Sequence, residues 1–285
     1  MWKLYRIALK LRSPLHVGYL KMGNLMRTRP YVPGKTIWGA VTAALALHKF
    51  DGDFKNAQDA VKSALAFSYF YPALEPDKPL WPCYTEKGLY YGEKQMLATE
   101  FERRLISVYG STALDYSCNA AAAGSLHEVE FLSPYDLYER RPVYLVGYVF
   151  ERQESSLQWC EVLGHIRLGG ERKYGWGCVA VERGPSPESQ IFSLQVELSG
   201  ERPRVRVKAG SPVLAHTVAA AVQARGQIEP LVARETHEAG RFGGSFSQDV
   251  PICWAPGAVL QADYTFEIDP YGVWEPQPDT SSTRR

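Results

Sequence analysis

The period of the hydrophobic pattern is the feature that most constrains how this chain folds, because it changes repeatedly between that of a strand and that of a helix. Residues 2–12 alternate apolar and polar side chains, which predicts a half-buried strand. Apolar residues recur at helical spacing over 37–48, which predicts a helix with Thr36 as its N-terminal cap. The same spacing over 93–109 predicts a second helix that ends at Gly110.

The rest of this half adds four elements to these three. Residues 126–132 and 143–151 predict two further strands, and the second segment is rich in β-branched and aromatic side chains. A helix-like stretch at 155–163 leads into a glycine-rich segment, and 178–182 predicts one more strand. Strand, helix, strand, strand, helix, strand is the order of a ferredoxin-like unit. The sequence therefore predicts an α+β fold whose first unit is ferredoxin-like (RRM-like), with a glycine-rich loop before its last strand.

A second unit with a similar order follows. Residues 203–215 predict a strand that ends in Ser-Pro-Val-Leu, much as the first strand ends in Ser-Pro-Leu-His. Residues 215–225 predict a helix, 240–244 form a glycine-rich turn, and 259–268 predict a strong strand. The echo between the halves indicates a duplicated fold, with a second ferredoxin-like or β-rich unit.

Composition marks the limits of these units. A chain of 285 residues is long enough for one large domain or two small ones. The proline-rich stretch at 185–187 separates a first domain, 1–185, from a second, 186–274. Residues 275–285 are rich in proline, serine, threonine and charge, which predicts a flexible tail.

Charge is distributed unevenly, although the net charge is only +1. The first 50 residues contain nine cations and no aspartate or glutamate, and many of the balancing acids lie after Glu229. Such asymmetry suits a chain that binds a polyanion on one face and proteins on another, and a solvated basic surface is the alternative. The cations are Lys3, Arg6, Lys10, Arg12, Lys21, Arg27, Arg29, Lys35 and Lys49.

Three segments, taken together, resemble a known family. The first, 29–40, runs through a Pro-Gly-Lys-Thr turn into a helix, and the second, 113–132, contains a run of four alanines. The third, 163–177, contains the stretch Gly-Gly-Glu-Arg-Lys-Tyr-Gly-Trp-Gly. In this order and at these spacings they resemble the RAMP superfamily of CRISPR-associated proteins, over about residues 1–182.

The resemblance implies a modified RNA-recognition fold that binds guide RNA (crRNA) within a cytoplasmic ribonucleoprotein complex for antiviral defence. Two later segments, 240–246 and 253–260, resemble the end of those type III subunits that hold the repeat-derived five-prime handle of the guide. Such subunits also contact the large subunit of their complex. The expected partners are therefore crRNA and other Cas or RAMP subunits, including a Cas10-type large subunit.

The expected RNA contacts lie in the basic N-terminal segment and in the glycine-rich loop. Glycines let another backbone come close, cations reach phosphates, and aromatic rings offer faces to unpaired bases. A tight hairpin is the alternative for the loop, and a capped helix with its lysine in solvent is the alternative for 35–36. The candidate residues are Lys21, Arg27, Arg29, Lys35, Thr36, Arg167, Gly169, Gly170, Arg172, Lys173, Tyr174 and Trp176.

The sequence also predicts a protein without catalytic residues of its own. Relatives that cut target RNA carry an acidic residue between the first strand and the first helix, and residues 18–33 of this chain contain no carboxylate. One alternative is an endoribonuclease that processes precursor crRNA, with His16 or His165 as general acid or base. Two others are a RAMP subunit repeated along the guide and a generic RNA-binding module.

Cysteine and histidine usage points to no cofactor. The five cysteines are widely spaced without a Cys-x-x-Cys pair, which favours reduced thiols over disulfides or a zinc site. His237 lies between Glu235 and Glu238, but such a local group is a poor metal site. No stretch approaches the roughly 18 apolar residues of a membrane span. We therefore expect no cofactor, no metal and no membrane contact.

Overall fold

The long first strand lies at the centre of the fold. The computed structural model describes residues 1–93, 96–235, 245–246 and 250–277. The α-helices are α1 (Gly34–Lys49), α2 (Phe54–Ala64) and α3 (Ala98–Leu105), and 3₁₀ helices cover Trp159–His165, Arg172–Tyr174 and Ala219–Ala221. The strands up to the end of the first sheet are β1 (Trp2–Leu11), β2 (Gly18–Met22), β3 (Leu25–Thr28), β4 (Leu65–Phe67), β5 (Tyr71–Ala73), β6 (Pro82–Thr85), β7 (Gly88–Tyr91), β8 (Met96–Leu97), β9 (Ile106–Ser111), β10 (Leu114–Asp115), β11 (Ala120–Ala121), β12 (His127–Leu132), β13 (Tyr144–Arg152) and β14 (Val179–Pro187). The later strands are β15 (Gln190–Ile191), β16 (Leu194–Glu197), β17 (Arg204–Val207), β18 (Thr217–Val218), β19 (Ala224–Arg225), β20 (Ile228–Pro230), β21 (Arg234–Glu235), β22 (Ser245–Phe246), β23 (Ile252–Trp254), β24 (Val259–Leu260), β25 (Tyr264–Ile268) and β26 (Trp274–Pro276).

The first sheet has the strand order β14-β1-β13-β4, and each strand is antiparallel to its neighbours. A fifth strand, β5, also pairs with β13, and without it the chain order across the sheet is fourth, first, third and second. The predicted α+β class is confirmed, but the strand predicted over 126–132 is not the second strand of this sheet. That position belongs to β4, and β12 lies in another sheet. The local pattern shows little sign of β4 because this strand is only three residues long and directly follows α2.

Both faces of this sheet are buried, and the alternation along β1 shows how. Ile7 and Leu9 point to one face, where they join the core cluster that includes the apolar side of α1. Leu4 points to the opposite face, where it joins a cluster containing Phe266 and Trp274 from the C-terminal strands. The sheet therefore lies between a helical layer and a C-terminal β layer, and the two halves of the chain share one core cluster.

A second sheet has the order β2-β3-β12-β9. The helix predicted over 93–109 is too long, since α3 ends at Leu105. The chain continues as β9 of this sheet, and Gly110 lies inside that strand. The β-branched Ile106 and Val108 favour an extended backbone, and pairing with β12 supplies the hydrogen bonds. The local helical pattern is thus overridden by a strand partner that lies farther along the chain.

The C-terminal part consists of short strands. Five of them form a sheet with the order β15-β16-β17-β25-β26. The helix predicted over 215–225 is wrong, because Thr217 and Val218 form β18 and pair with Trp254 and Cys253 of β23. The two long strands predicted for this part are shorter in the structure, as β17 and as β24 with β25. The described residues of this part contain no α-helix, so a second ferredoxin-like unit is not confirmed.

Two predicted boundaries fall inside strands. The proline-rich stretch at 185–187 belongs to β14 and pairs with β1. Glu275, the predicted start of the flexible tail, pairs with Glu267 between β26 and β25. Residues 278–285 of that tail and the predicted turn at 240–244 lie outside the described residues.

Within the described part of the chain, no helix combines the length and the apolar character needed to cross a membrane. All five cysteines lie in that part and are free thiols. Among the same residues, no three histidine, cysteine, aspartate or glutamate side chains are grouped so as to hold a metal ion, and His237 lies outside them.

Candidate nucleic-acid interface

The glycine-rich loop folds back onto the segment that follows β1. Gly170 donates its backbone N–H to the His16 carbonyl at 2.8 Å, and Gly177 donates to the Pro14 carbonyl at 2.8 Å. Leu168 donates to the Gly177 carbonyl at 2.9 Å and so closes the loop. The loop is therefore fixed to the chain's own backbone at both ends.

Contacts inside the protein account for two of the loop glycines. A Cβ atom at Gly169 would lie 2.1 Å from the His16 carbonyl oxygen, and one at Gly177 would lie 1.9 Å from the Leu168 carbonyl oxygen. Both glycines also have a positive φ, at 70° and 75°. Gly170 differs, since a Cβ atom there would lie 3.3 Å from the His16 ring. Hairpin geometry thus explains Gly169 and Gly177, whereas Gly170 is not required by it.

The charged and aromatic side chains at the tip of the loop are unequally engaged. Arg172 donates from Nε to a carbonyl oxygen of the loop at 2.9 Å, and Arg167 contacts the sulfur of Cys178. Lys173 is exposed, and Tyr174 is 73% exposed. Lys173 and Tyr174 therefore present a cation and an aromatic face to solvent at adjacent positions.

Trp176 joins the loop to the second sheet. Its ring packs edge-on against Phe131 of β12, with 5.1 Å between ring centroids, and against Tyr109 of β9, with 6.1 Å. The side chain is half-buried. An aromatic cluster thus connects the loop to the strands beside it, in addition to the stacking face that the sequence predicts.

His16 lies behind the loop and is only 6% exposed. Its Nδ1 is 2.7 Å from the Glu130 carbonyl oxygen, and because a carbonyl only accepts, that nitrogen carries the proton. The other histidine of interest, His165, is exposed and packs its ring at 4.3 Å from that of His48. His16 is therefore buried behind the loop, whereas His165 is exposed beside His48.

Lys21 and Arg27 lie on the hairpin formed by β2 and β3. Lys21 is exposed, whereas Arg27 donates from Nε to the Glu130 carboxylate at 2.6 Å. This hydrogen bond raises the pKa of Arg27. Thr28 also donates its backbone N–H to the Glu130 carboxylate, at 3.1 Å. Sequence reasoning missed Glu130, which holds the hairpin on β12 from about one hundred positions away.

Arg29 belongs to a buried polar cluster between the two halves of the chain. Its guanidinium donates to Glu229 and, at 3.0 Å, to the hydroxyl of Tyr31. Glu229 also accepts from the His216 ring, whose other nitrogen is 2.6 Å from the Tyr69 hydroxyl. Arg29 is 7% exposed. The phosphate contact predicted for Arg29 remains a prediction, and it would require this ion pair to open.

The electrostatics of the cluster favour an ionised Glu229. Burial alone would raise the pKa of Glu229, but the hydrogen bond from His216 and the charge of Arg29 lower it to about 2. Burial lowers the pKa of His216, so the neutral ring is favoured. The cluster is therefore an Arg29–Glu229 ion pair supported by a neutral imidazole and two phenols.

Lys35 and Thr36 lie at the start of α1, on a different part of the surface. Pro33, and not Thr36 as predicted, occupies the N-terminal cap of the helix, because Thr36 already lies in the first turn and donates its backbone N–H to the Pro33 carbonyl at 2.9 Å. The Lys35 ammonium lies 3.8 Å from the centroid of the Tyr271 ring. The structure thus places Lys35 against the turn between β25 and β26.

A cavity of about 390 Å³ lies beside the Arg29 cluster. The hairpin of β2 and β3, the β6–β7 hairpin, α3 and the segment around β20 form its walls. Sequence reasoning missed most of these residues because they come from distant positions that share no local motif. The residues central to its chemistry are Tyr19, Arg27, Arg29, Tyr31, Tyr84, Tyr91, Glu102, Arg103, Glu130, Gln227 and Glu229.

Comparison with known proteins rests on structure. No protein-family model matches the sequence, and no curated protein matches it. The fold is similar to that of a chain in the cryo-EM structure of the type III-B Cmr-beta bound to cognate target RNA, with a TM-score of 0.53 and 13% identity, over 90% of this chain and 86% of that one. A chain of Cmr-beta bound to cognate target RNA and AMPPnP, state 1, gives a TM-score of 0.52 and 11% identity over the same shares. At such low identity the likeness concerns the fold.

Proposed function

We propose that this chain is a non-catalytic, guide-RNA-binding subunit of a type III CRISPR effector complex. The observation that carries the proposal is the fold similarity, over 90% of the chain, to chains of type III-B Cmr-beta structures that contain RNA. The three sequence segments that resemble RAMP proteins support the same assignment independently, because they depend on residue types and not on backbone geometry.

The topology of the first sheet adds support. An antiparallel order of fourth, first, third and second strand is what a ferredoxin-like unit produces, with helices on one face. The glycine-rich loop precedes the fourth strand, β14, as the RAMP resemblance implies. We therefore assign the N-terminal half as the RAMP unit, with RNA along the face that carries the loop.

We further propose that the chain holds the repeat-derived handle and contacts the Cas10-type large subunit. The resemblance of 253–260 to handle-binding subunits supports this role. Exposed apolar side chains on and beside β9–β11 supply a surface suited to a protein partner. These side chains are Val108, Tyr109, Leu114, Tyr116 and Leu126, and each is at least 48% exposed.

Absence of catalysis is supported by the loop composition and by His16. Residues 18–33 contain no carboxylate that could bind a catalytic metal or take a proton. The buried His16 ring has one nitrogen committed to the Glu130 carbonyl. The endoribonuclease alternative therefore depends on His165, which is exposed beside His48.

Reconstitution with guide RNA and the other subunits tests the proposal. Native mass spectrometry of the assembled complex should show one copy of this chain, whereas several copies would favour the repeated backbone subunit. Precursor and target RNA incubated with the chain, with and without magnesium, should remain intact. Cleavage that disappears in a His165→Ala variant, but persists in a His48→Ala control, would establish the endoribonuclease instead.

A further inference from the structure

The cavity beside the Arg29 cluster has the size of a small-ligand site. Its volume of about 390 Å³ lies within the range of roughly 300–1,000 Å³ that such sites span. Residues of the β2–β3 hairpin, the β6–β7 hairpin and β20 line it. A planar group of the size of a nucleoside therefore fits.

Aromatic rings form much of the wall. Tyr19 is 38% exposed. The Arg29 guanidinium lies 4.9 Å from the centroid of the Tyr19 ring and covers one face of that ring. Tyr84 is half-buried, and its hydroxyl donates to the Gln227 side-chain oxygen at 2.9 Å. Burial raises the pKa of Tyr19 and of Tyr84, so both phenols stay neutral at physiological pH. The wall thus supplies stacking surface with hydroxyl groups at its edge.

The charges around the cavity balance and select against a phosphate group. Arg27 faces Glu130, and Arg29 faces Glu229, so two of the three arginines are neutralised by ion pairs. The third, Arg103, lines the cavity together with Glu102. A dianion gains little from this arrangement, whereas a neutral ring with donors and acceptors along its edge finds partners of both kinds.

The cavity adjoins the glycine-rich loop through two residues. The Glu130 carboxylate contributes to the cavity wall, and its carbonyl oxygen lies 2.7 Å from His16 Nδ1. The His16 ring, on its other side, lies 3.3 Å from the point that a Cβ atom at Gly170 would occupy. Two contacts, from Gly170 to His16 and from His16 to Glu130, therefore link the glycine-rich loop to the cavity wall.

We propose that this cavity binds a single unstacked nucleobase of the guide RNA. The proposal rests on the guide-RNA-binding function inferred above and adds a base-specific contact to it. Tyr19 and Tyr84 stack on the base or border it, and Gln227, Arg103 and the carboxylates contact its hydrogen-bonding edge. The RNA backbone runs outside, past the glycine-rich loop, and the cavity fixes the register of the strand.

Abasic substitution tests the proposal on the full chain. Single-stranded RNAs that carry the repeat-derived end of the guide are prepared with one abasic site at each position in turn. One position should lower affinity by roughly 5- to 150-fold, the range for loss of one stacked base. In a Tyr19→Ala or Tyr84→Ala variant the same abasic site should change affinity little, because the stacking partner is already absent. Tyr138→Ala, an exposed tyrosine that lies in neither the cavity nor the glycine-rich loop, should leave the abasic profile unchanged.

A second measurement uses the unmodified chain and so does not depend on whether the variants fold. The fluorescent base 2-aminopurine, placed at the sensitive position, should change its emission when the RNA binds the unmodified chain. Free AMP or GMP, at concentrations that leave the RNA bound, should not reverse this change. A flat abasic profile with intact RNA still bound would overturn the nucleobase proposal alone. Cavity occupancy by AMP or GMP, together with that flat profile, would assign the cavity to a free nucleotide. Failure to bind the intact RNA at all would overturn the proposed function as well.

Discussion

Glu229 accepts a hydrogen bond from the Arg29 guanidinium across 200 positions of the chain, and the two side chains are only 10% and 7% exposed. Arg29 enters this pair from the turn before α1, and Glu229 enters it from β20. The pair closes the inner side of the cavity and joins the two halves of the chain. Its loss should therefore affect stability before it affects RNA binding.

Arg29→Ala and Glu229→Gln should each lower the free energy of unfolding by about 3–5 kcal/mol, because each leaves a buried polar or charged partner without its counterpart. Chemical denaturation measures the effect. Arg202→Ala is the control, since its ion pair with Glu275 is exposed and should be worth less than about 1 kcal/mol. An Arg29→Ala variant as stable as the unmodified chain would contradict the burial of this pair.

Asp269 should make stability fall with rising pH. Burial raises the pKa of Asp269 to about 6 from the usual 3.8, although its carboxylate accepts from the backbone N–H groups of Tyr271 and Val273. The folded state thus binds the proton more tightly, so the contribution is complete below about pH 4 and is lost as pH rises through about 6. Asp269→Asn keeps an acceptor and removes the charge. Relative to the unmodified chain, it should gain up to about 3 kcal/mol between pH 4 and pH 7.5. A difference that does not vary with pH would refute the assignment.

Gly169 and Gly170 should respond differently to substitution although they are adjacent. Gly169→Ala places a Cβ atom at a positive φ and against the His16 carbonyl, so thermal stability should fall by the equivalent of about 1–3 kcal/mol. A Cβ atom at Gly170 would lie 3.3 Å from the His16 ring, so Gly170→Asp requires a small shift of that ring and should stay folded, but its charge and bulk should weaken binding of guide RNA. Melting curves and RNA titrations on the same samples separate the two effects. Equal RNA affinity in the folded Gly170→Asp variant would remove RNA from this loop.

Exposed cations should set the salt dependence of RNA binding more than the paired ones do. Lys21, Arg167 and Lys173 are exposed, and replacing all three by Ala should reduce the log–log slope by about 2, at about 0.7 for each phosphate that is no longer neutralised. Replacing Arg27, Arg29 and Lys35 should reduce it less, since both arginines are already neutralised by carboxylates and Lys35 lies against the Tyr271 ring. A matched triple variant of exposed lysines that belong to neither the loop nor the cavity, Lys55, Lys62 and Lys208 to Ala, should leave the slope unchanged.

The parts of the fold that follow a strong local pattern could be predicted from the sequence. β1 alternates and α1 repeats at helical spacing over ten residues or more, and β13 is a mostly apolar run of nine residues, so these patterns outweigh local exceptions. β4 and β9 could not be predicted in this way. β4 has three residues without a visible period, and β9 continues a helical pattern until pairing with β12 makes the backbone extended.

In the candidate site, too, local features could be predicted from the sequence and contacts between distant residues could not. The glycine-rich loop is visible as composition, and its exposed Lys173 and Tyr174 are where a binding loop would present them. The pairing of Arg27 with Glu130 and of Arg29 with Glu229 could not be seen, because charge patterns report neighbours in sequence and these partners lie far apart. The cavity was missed for the same reason.

The distance along the chain between Arg29 and Glu229 also sets an order of events during synthesis. A ribosome adding about 5–20 residues per second needs roughly 10–40 s to make the intervening 200 residues. During that time the Arg29 guanidinium remains hydrated, and the face of the first sheet that carries Leu4 has no C-terminal strands to cover it. The nascent N-terminal half therefore remains only partly packed until the C-terminal strands that cover this face have been made.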